Sequence, residues 1–122
     1  MARTELTVQE PPGNYPALPL VADAADISWD AADAADKNEF DLTGRELILA
    51  WNTDGANPYT VTVESVTDQC NREGDITDYS IGAGEIAMLG PIPVTGFRQS
   101  DGKCYLEASN LAVEFAIIRI PS

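Results

Sequence analysis

The sequence predicts an all-β fold: an antiparallel β-sandwich or jelly roll of about eight or nine short strands, behind an extended Pro-rich N-terminal arm. Three observations carry this. Apolar residues alternate at strand period in several short runs. Turn dipeptides separate those runs every 8–12 residues or so. No segment sustains the apolar spacing of a surface helix. The 122 residues suit one domain, read as an arm over residues 1–20 and a sandwich over residues 21–122. Hydrophobic residues make up 44% of the chain, which is enough to build a core.

The elements follow in order. Pro11, Pro12, Pro16 and Pro19 surround Gly13, Asn14 and Tyr15. Proline fixes φ and removes a donor, so this stretch runs extended and excludes a central strand. Residues 22–36 repeat Ala-Ala-Asp three times. Residues 26–29 read as a short strand, and residues 31–35 as one or two turns capped by Asp30. Residues 46–51, Glu-Leu-Ile-Leu-Ala-Trp, are apolar at both parities, as in a strand covered on two faces. Thr60-Val61-Thr62-Val63-Glu64 alternates, with both valines inward. Cys104, Leu106 and Ala108 share one face of a further strand. Over residues 113–120, Val113, Phe115 and Ile117 lie on one side and Ile118 and Ile120 on the other. Either a bulge near Ile117 or a partner over the second face explains that change. Asp101-Gly102 suits a type I′ hairpin joining residues 97–99 to residues 104–106.

Charge narrows the function. Seven Lys and Arg against 20 Asp and Glu leave a net charge of −13, and there is no histidine. Nucleic-acid binding needs clustered cations, so that partner is excluded. Without histidine the usual general base, the commonest metal ligand and the Ser-His and Cys-His nucleophile pairs are missing. No run approaches the roughly 18 apolar residues of a membrane helix, so no membrane partner is expected. No apolar leader opens the sequence, and Cys70 and Cys104 read as two reduced thiols more readily than as a bridge, which points to the cytoplasm as the site of synthesis.

The remaining chemistry is weighed against plainer readings. Paired carboxylates could serve glycoside hydrolysis, but no pair stands out among the 20 acidic residues. Asp23, Asp26, Asp30, Asp33 and Asp36 could hold a hard cation, yet they lack the spacing of a calcium loop and read better as a solvated face. No cofactor is expected. Trp29, Trp51 and the tyrosines could stack on a sugar; Trp51, and Ile27 with Trp29, read better as core. Tyr15, among prolines, suits an anchor in a partner's groove as well as it suits self-packing. Arg45 and Arg98 stand beside apolar strands, where they either cross an interface or pair within their own subunit. The candidate partner-binding residues are therefore Pro11, Pro12, Tyr15, Pro16, Leu18, Arg45, Arg98, Ile118 and Ile120.

A resemblance adds to this. The ordered segments are Tyr15-Pro16-Ala17-Leu18-Pro19-Leu20, the Ala-Ala-Asp stretch, Leu42-Thr43-Gly44-Arg45-Glu46, Gly74-Asp75-Ile76-Thr77, Ala83-Gly84-Glu85 and Asp101-Gly102-Lys103-Cys104-Tyr105-Leu106-Glu107-Ala108. Their succession resembles the head decoration, or cement, proteins of tailed bacteriophages. That resemblance implies a non-enzymatic β-rich module on the outer capsid surface of the virion. Its partners would be the major capsid protein and neighbouring copies of itself, as a homo-trimer at threefold positions. The alternatives are a carbohydrate-binding adhesin or fibre-tip domain, and a connector or tail component.

Overall fold

The computed structural model describes residues 3–11, 26–66 and 75–120. Its strands are β1 (Thr4–Glu5), β2 (Val8–Gln9), β3 (Asp30–Ala31), β4 (Asn38–Asp41), β5 (Glu46–Asn52), β6 (Tyr59–Val63), β7 (Ile76–Ile81), β8 (Ile86–Leu89), β9 (Lys103–Ala108) and β10 (Val113–Arg119). Among the described residues there is no helix. One sheet has the order β1-β4-β9-β6-β7, the other β2-β10-β5-β8 with β3 beside β10. Their inner faces enclose one core, which makes the domain a β-sandwich.

The alternating runs build that core as the sequence anticipates. Val61 and Val63 from β6, and Cys104, Leu106 and Ala108 from β9, are buried on the inner side of the first sheet with Phe40 of β4. Ile48 and Ala50 of β5 meet them from the second sheet, beside Val113, Phe115 and Ile117 of β10. Each large side chain fully buried here is worth about 1.5–3 kcal/mol of transfer free energy, which sets the two sheets face to face.

β10 shows no bulge near Ile117. It pairs with β5 in unbroken antiparallel register from Val113 opposite Asn52 to Arg119 opposite Glu46. Strict alternation therefore holds, and Ile118 simply lies on the outer side. Apolar residues at both parities here mark a strand apolar on both faces.

The N-terminal boundary differs from expectation. Residues 3–11 belong to the domain and not to an arm. β1 pairs in parallel with β4, and β2 in parallel with β10, so both sheets are mixed and not purely antiparallel. The Leu6 amide donates to the Glu39 carbonyl at 2.7 Å, and the Leu6 side chain is 3% exposed. Both strands are edge strands, and Pro11 comes only after the last paired residue, which satisfies the proline rule.

Three local readings also change. Residues 26–29 are not a strand; pairing begins at Asp30, opposite Phe115. The turn over residues 34–36 is real, but Asp33 caps it, its Oδ1 accepting from the amides of Ala35 and Asp36. Asp30 instead enters β3. At residues 99–103 the Gly102 amide donates to the Gln99 carbonyl and the Gln99 amide to the Lys103 carbonyl. Only Gly102 (φ 84°) is left-handed in this turn. A type I′ turn needs positive φ at both central residues, so this is the longer hairpin turn closed by a glycine bulge. Residues 97–99 before it are not a strand.

Candidate functional site

The two outer faces of the sandwich differ sharply. Facing out from the first sheet, Arg3 bonds Glu64 at 2.6 Å and lies 4.3 Å over the Tyr105 ring. Lys37 pairs with Glu107 at 3.3 Å, and Lys103 with Asp41 at 2.8 Å and with Glu5. The Tyr105 hydroxyl donates to Asp101, and this bond raises the tyrosine's pKa. Such partly exposed pairs add modest stability, and they leave this face polar and internally paired.

The second sheet presents the opposite. Its register places Ile86, Trp51 and Glu114 in one outer row, and Met88, Leu49 and Ala116 in the next. Leu47 and Ile118 follow in a third. Trp29, just before β3, meets Trp51 edge-on, with ring centroids 5.4 Å apart. Ile86 and Met88 are 57% and 68% exposed. Glu114 is the only ionisable side chain in these rows. Toward β10 the rows are more covered: Leu47, Leu49, Trp51 and Ile118 are half-buried and Ala116 is buried, so the face is most open along β8. Exposed apolar side chains grouped on one margin of a sheet, backed by half-buried ones, suit an interaction surface.

Three of the sequence-predicted residues border this face. Ile118 belongs to it. Ile120 and Arg45 close its far end, where the Ile120 amide donates to the Arg45 carbonyl at 2.9 Å and the Arg45 guanidinium to the Ile120 carbonyl at 3.1 Å. Arg45 is thus engaged within its own chain. Pro11 is exposed and lies two residues past Gln9, which sits opposite Ile118. Arg98 is elsewhere, in the turn leading to β9, beside Gly102. Pro12, Tyr15, Pro16, Leu18 and Cys70 lie outside the described residues.

Sequence reasoning missed Leu47, Leu49, Ile86 and Met88, and it assigned Trp51, Ile27 and Trp29 to the core. Ile27 is 46% exposed, and both tryptophans sit on the outer side. The signal was present: β5 and β8 are each apolar at both parities. Residues 46–51 were read as a strand covered on two faces and residues 86–89 were not read as a strand; the outer side of β5 is half-buried, and that of β8 is open.

A buried carboxylate fixes the end of the face. Glu46 is fully buried between the sheets. Its Oε1 accepts from the amides of Thr43, Gly44 and Arg45, and its Oε2 from the Thr43 hydroxyl and the Arg119 guanidinium. Burial alone would raise its pKa; the Thr43 hydroxyl, Arg119 and the Thr43 amide outweigh it and bring the value to about 2. Every acceptor position is taken from within the chain, so Glu46 is a structural clasp. Cys104 is a free thiol in the core, its pKa pushed by burial up to about 12, which makes it a poor nucleophile. Among the described residues no group of three or more His, Cys, Asp or Glu side chains converges as a metal site.

Fold and face together define a β-sandwich with one salt-bridged and one apolar outer surface. Compared with protein-family models, curated proteins and solved structures, the chain matches none.

Proposed function

We propose that this is a non-enzymatic structural protein of a virion, which binds the exterior of a tailed-phage capsid and stabilises it. The apolar outer face of β8, β5 and β10 carries the reading. On a chain of net charge −13, an apolar face with one carboxylate, Glu114, offers a contact with little opposing charge. The acidic remainder suits a surface turned to water and away from packaged nucleic acid. The resemblance to decoration proteins supplies the partner, the major capsid protein, and sets copies as trimers at threefold positions, where many weak contacts act together.

The test is occupancy of phage heads that lack the protein. Leu49→Asp places a charge at the middle of the face, and occupancy and heat resistance of the particle should fall. The contribution of the proline-rich stretch is tested by Tyr15→Ala with Leu18→Ala, because deleting residues 1–19 would also remove β1, β2 and the buried Leu6. Full occupancy by the double variant would remove the proline-rich stretch from the proposal.

The Trp29–Trp51 pair favours a second reading, a carbohydrate-binding adhesin or fibre tip. The rings meet at an interplanar angle of 60°, so they do not form one flat platform. The described tyrosines Tyr59, Tyr79 and Tyr105 belong to strands of the other sheet. Glycan-array binding abolished by Trp29→Ala would establish this alternative. A connector or tail location differs only in position, which imaging of the particle decides.

A further inference from the structure

β8 is an open edge whose geometry is self-complementary. The Asn52 amide donates to the Glu85 carbonyl, and β5 and β8 then pair Trp51 with Ile86, Ala50 with Ala87, Leu49 with Met88 and Ile48 with Leu89. Antiparallel bonding alternates, so Ala87 and Leu89 bond toward β5 while Ile86 and Met88 turn both N–H and C=O outward. Their side chains are also the exposed ones. Among the described residues nothing covers this edge.

The other edges are protected. β1, β2 and β3 are each two residues long. β7 has Asp78 in a left-handed conformation (φ 50°) opposite a register shift in β6. Natural sheets blunt their edges by such shortening, charges and kinks. Residues 86–89, Ile-Ala-Met-Leu, carry no charge, proline or bulge.

We propose that β8 pairs antiparallel with β8 of a second copy of this chain, about a twofold axis through Ala87. In that register Ile86 of each copy faces Met88 of the other, and all four outward N–H groups find outward carbonyls. Ala87 meets its own equivalent at the axis, a narrow pair where a small side chain fits. Glu85 falls opposite Leu89 of the partner, not opposite another carboxylate. A second copy is therefore accepted at this edge without charge conflict, although each brings a net charge of −13. Two second sheets merge into one, and the apolar outer faces become continuous across the axis. The contact is independent of shell binding. A threefold contact elsewhere on the molecule would leave this edge open.

The interface is at the small end of specific ones, so association should be weak and opposed by the overall charge. Sedimentation of the full chain should show mass rising from 13.1 kDa toward twice that value with concentration. The rise should sharpen between about 0.01 M and about 1 M salt, as the screening length falls from about 30 Å to about 3 Å. Amide hydrogen exchange supplies the site. Ile86 and Met88 amides should gain protection with concentration, while Ala87 and Leu89 amides are protected throughout. Met88→Pro removes an outward N–H together with the Met88 side chain, leaves the β5-facing N–H groups intact and should abolish the dimer; its fold is checked by circular dichroism, and if it misfolds the exchange pattern still decides. A single 13.1 kDa species at every concentration and salt overturns the proposal. So does association that leaves the Ile86 and Met88 amides exchanging freely.

Discussion

Glu46 shows how a charged residue can be buried in a strand that the sequence marks as apolar. Periodicity placed it on the inner side with Ile48 and Ala50, and alternation alone would demand a hydrophobe there. The preceding Thr43-Gly44-Arg45 supplies three amides and a hydroxyl, and Arg119 closes the set from the last strand. Its folded pKa of about 2 lies below the ordinary 4.5. The stabilisation is therefore fully present above pH 4.5 and lost as pH falls toward 2, with a ceiling of roughly 3 kcal/mol. Glu46→Gln should cost about 3 kcal/mol near neutrality, because it leaves Arg119 without its charge partner. Urea unfolding of both proteins between pH 7 and about pH 2 checks this: the gap should narrow as pH falls, and a constant gap would refute the clasp. Cys104 gives a second residue-scale outcome. In a Cys70→Ser background its buried thiol should resist thiol reagents in the folded protein and react once urea unfolds it.

At the scale of elements, the long strands were readable and the short ones were not. β6, β9 and β10 advertise themselves because alternation over five to seven residues outweighs local noise. β1 and β2 pair for two residues each, and no pattern that brief distinguishes a strand from an arm. What fixes them is tertiary: Leu6 fills the core between two parallel pairings, information held in the sheets that receive it. Leu6→Ala should therefore cost about 2–4 kcal/mol and lower the melting temperature by on the order of 10 °C, measured by thermal unfolding. A genuine arm would show no change. Gly90 ends β8 for a similarly non-local reason. At φ 117° a side chain there is strained, and its Cβ would lie 2.9 Å from the Ile92 nitrogen and 3.0 Å from the Glu46 carbonyl oxygen. Gly90→Ala should destabilise by more than about 1 kcal/mol in equilibrium unfolding.

For the whole molecule, charge and hydrophobicity are separated by face. The cations Arg3, Lys37 and Lys103 are spent on the first sheet, while among the described residues the outer rows of the second hold one ionisable side chain, Glu114, with Arg45 at their far end. The residues of that side were visible in the sequence as strands apolar at both parities. Their exposure was not, since it depends on which layers exist beyond the sheet. Ile118 was recognised because its change of parity demanded a cover; Leu49 was read within a strand covered on two faces, and Met88 lies in a four-residue strand too short to stand out. The most direct test of the docking face is binding of the purified protein to phage heads that lack it, comparing the unaltered chain, Leu49→Asp and Glu107→Gln on the opposite face. Occupancy should drop at least tenfold for Leu49→Asp, with folding intact by circular dichroism, and stay unchanged for Glu107→Gln. Equal occupancy by all three, or loss only in Glu107→Gln, would contradict docking through the apolar face.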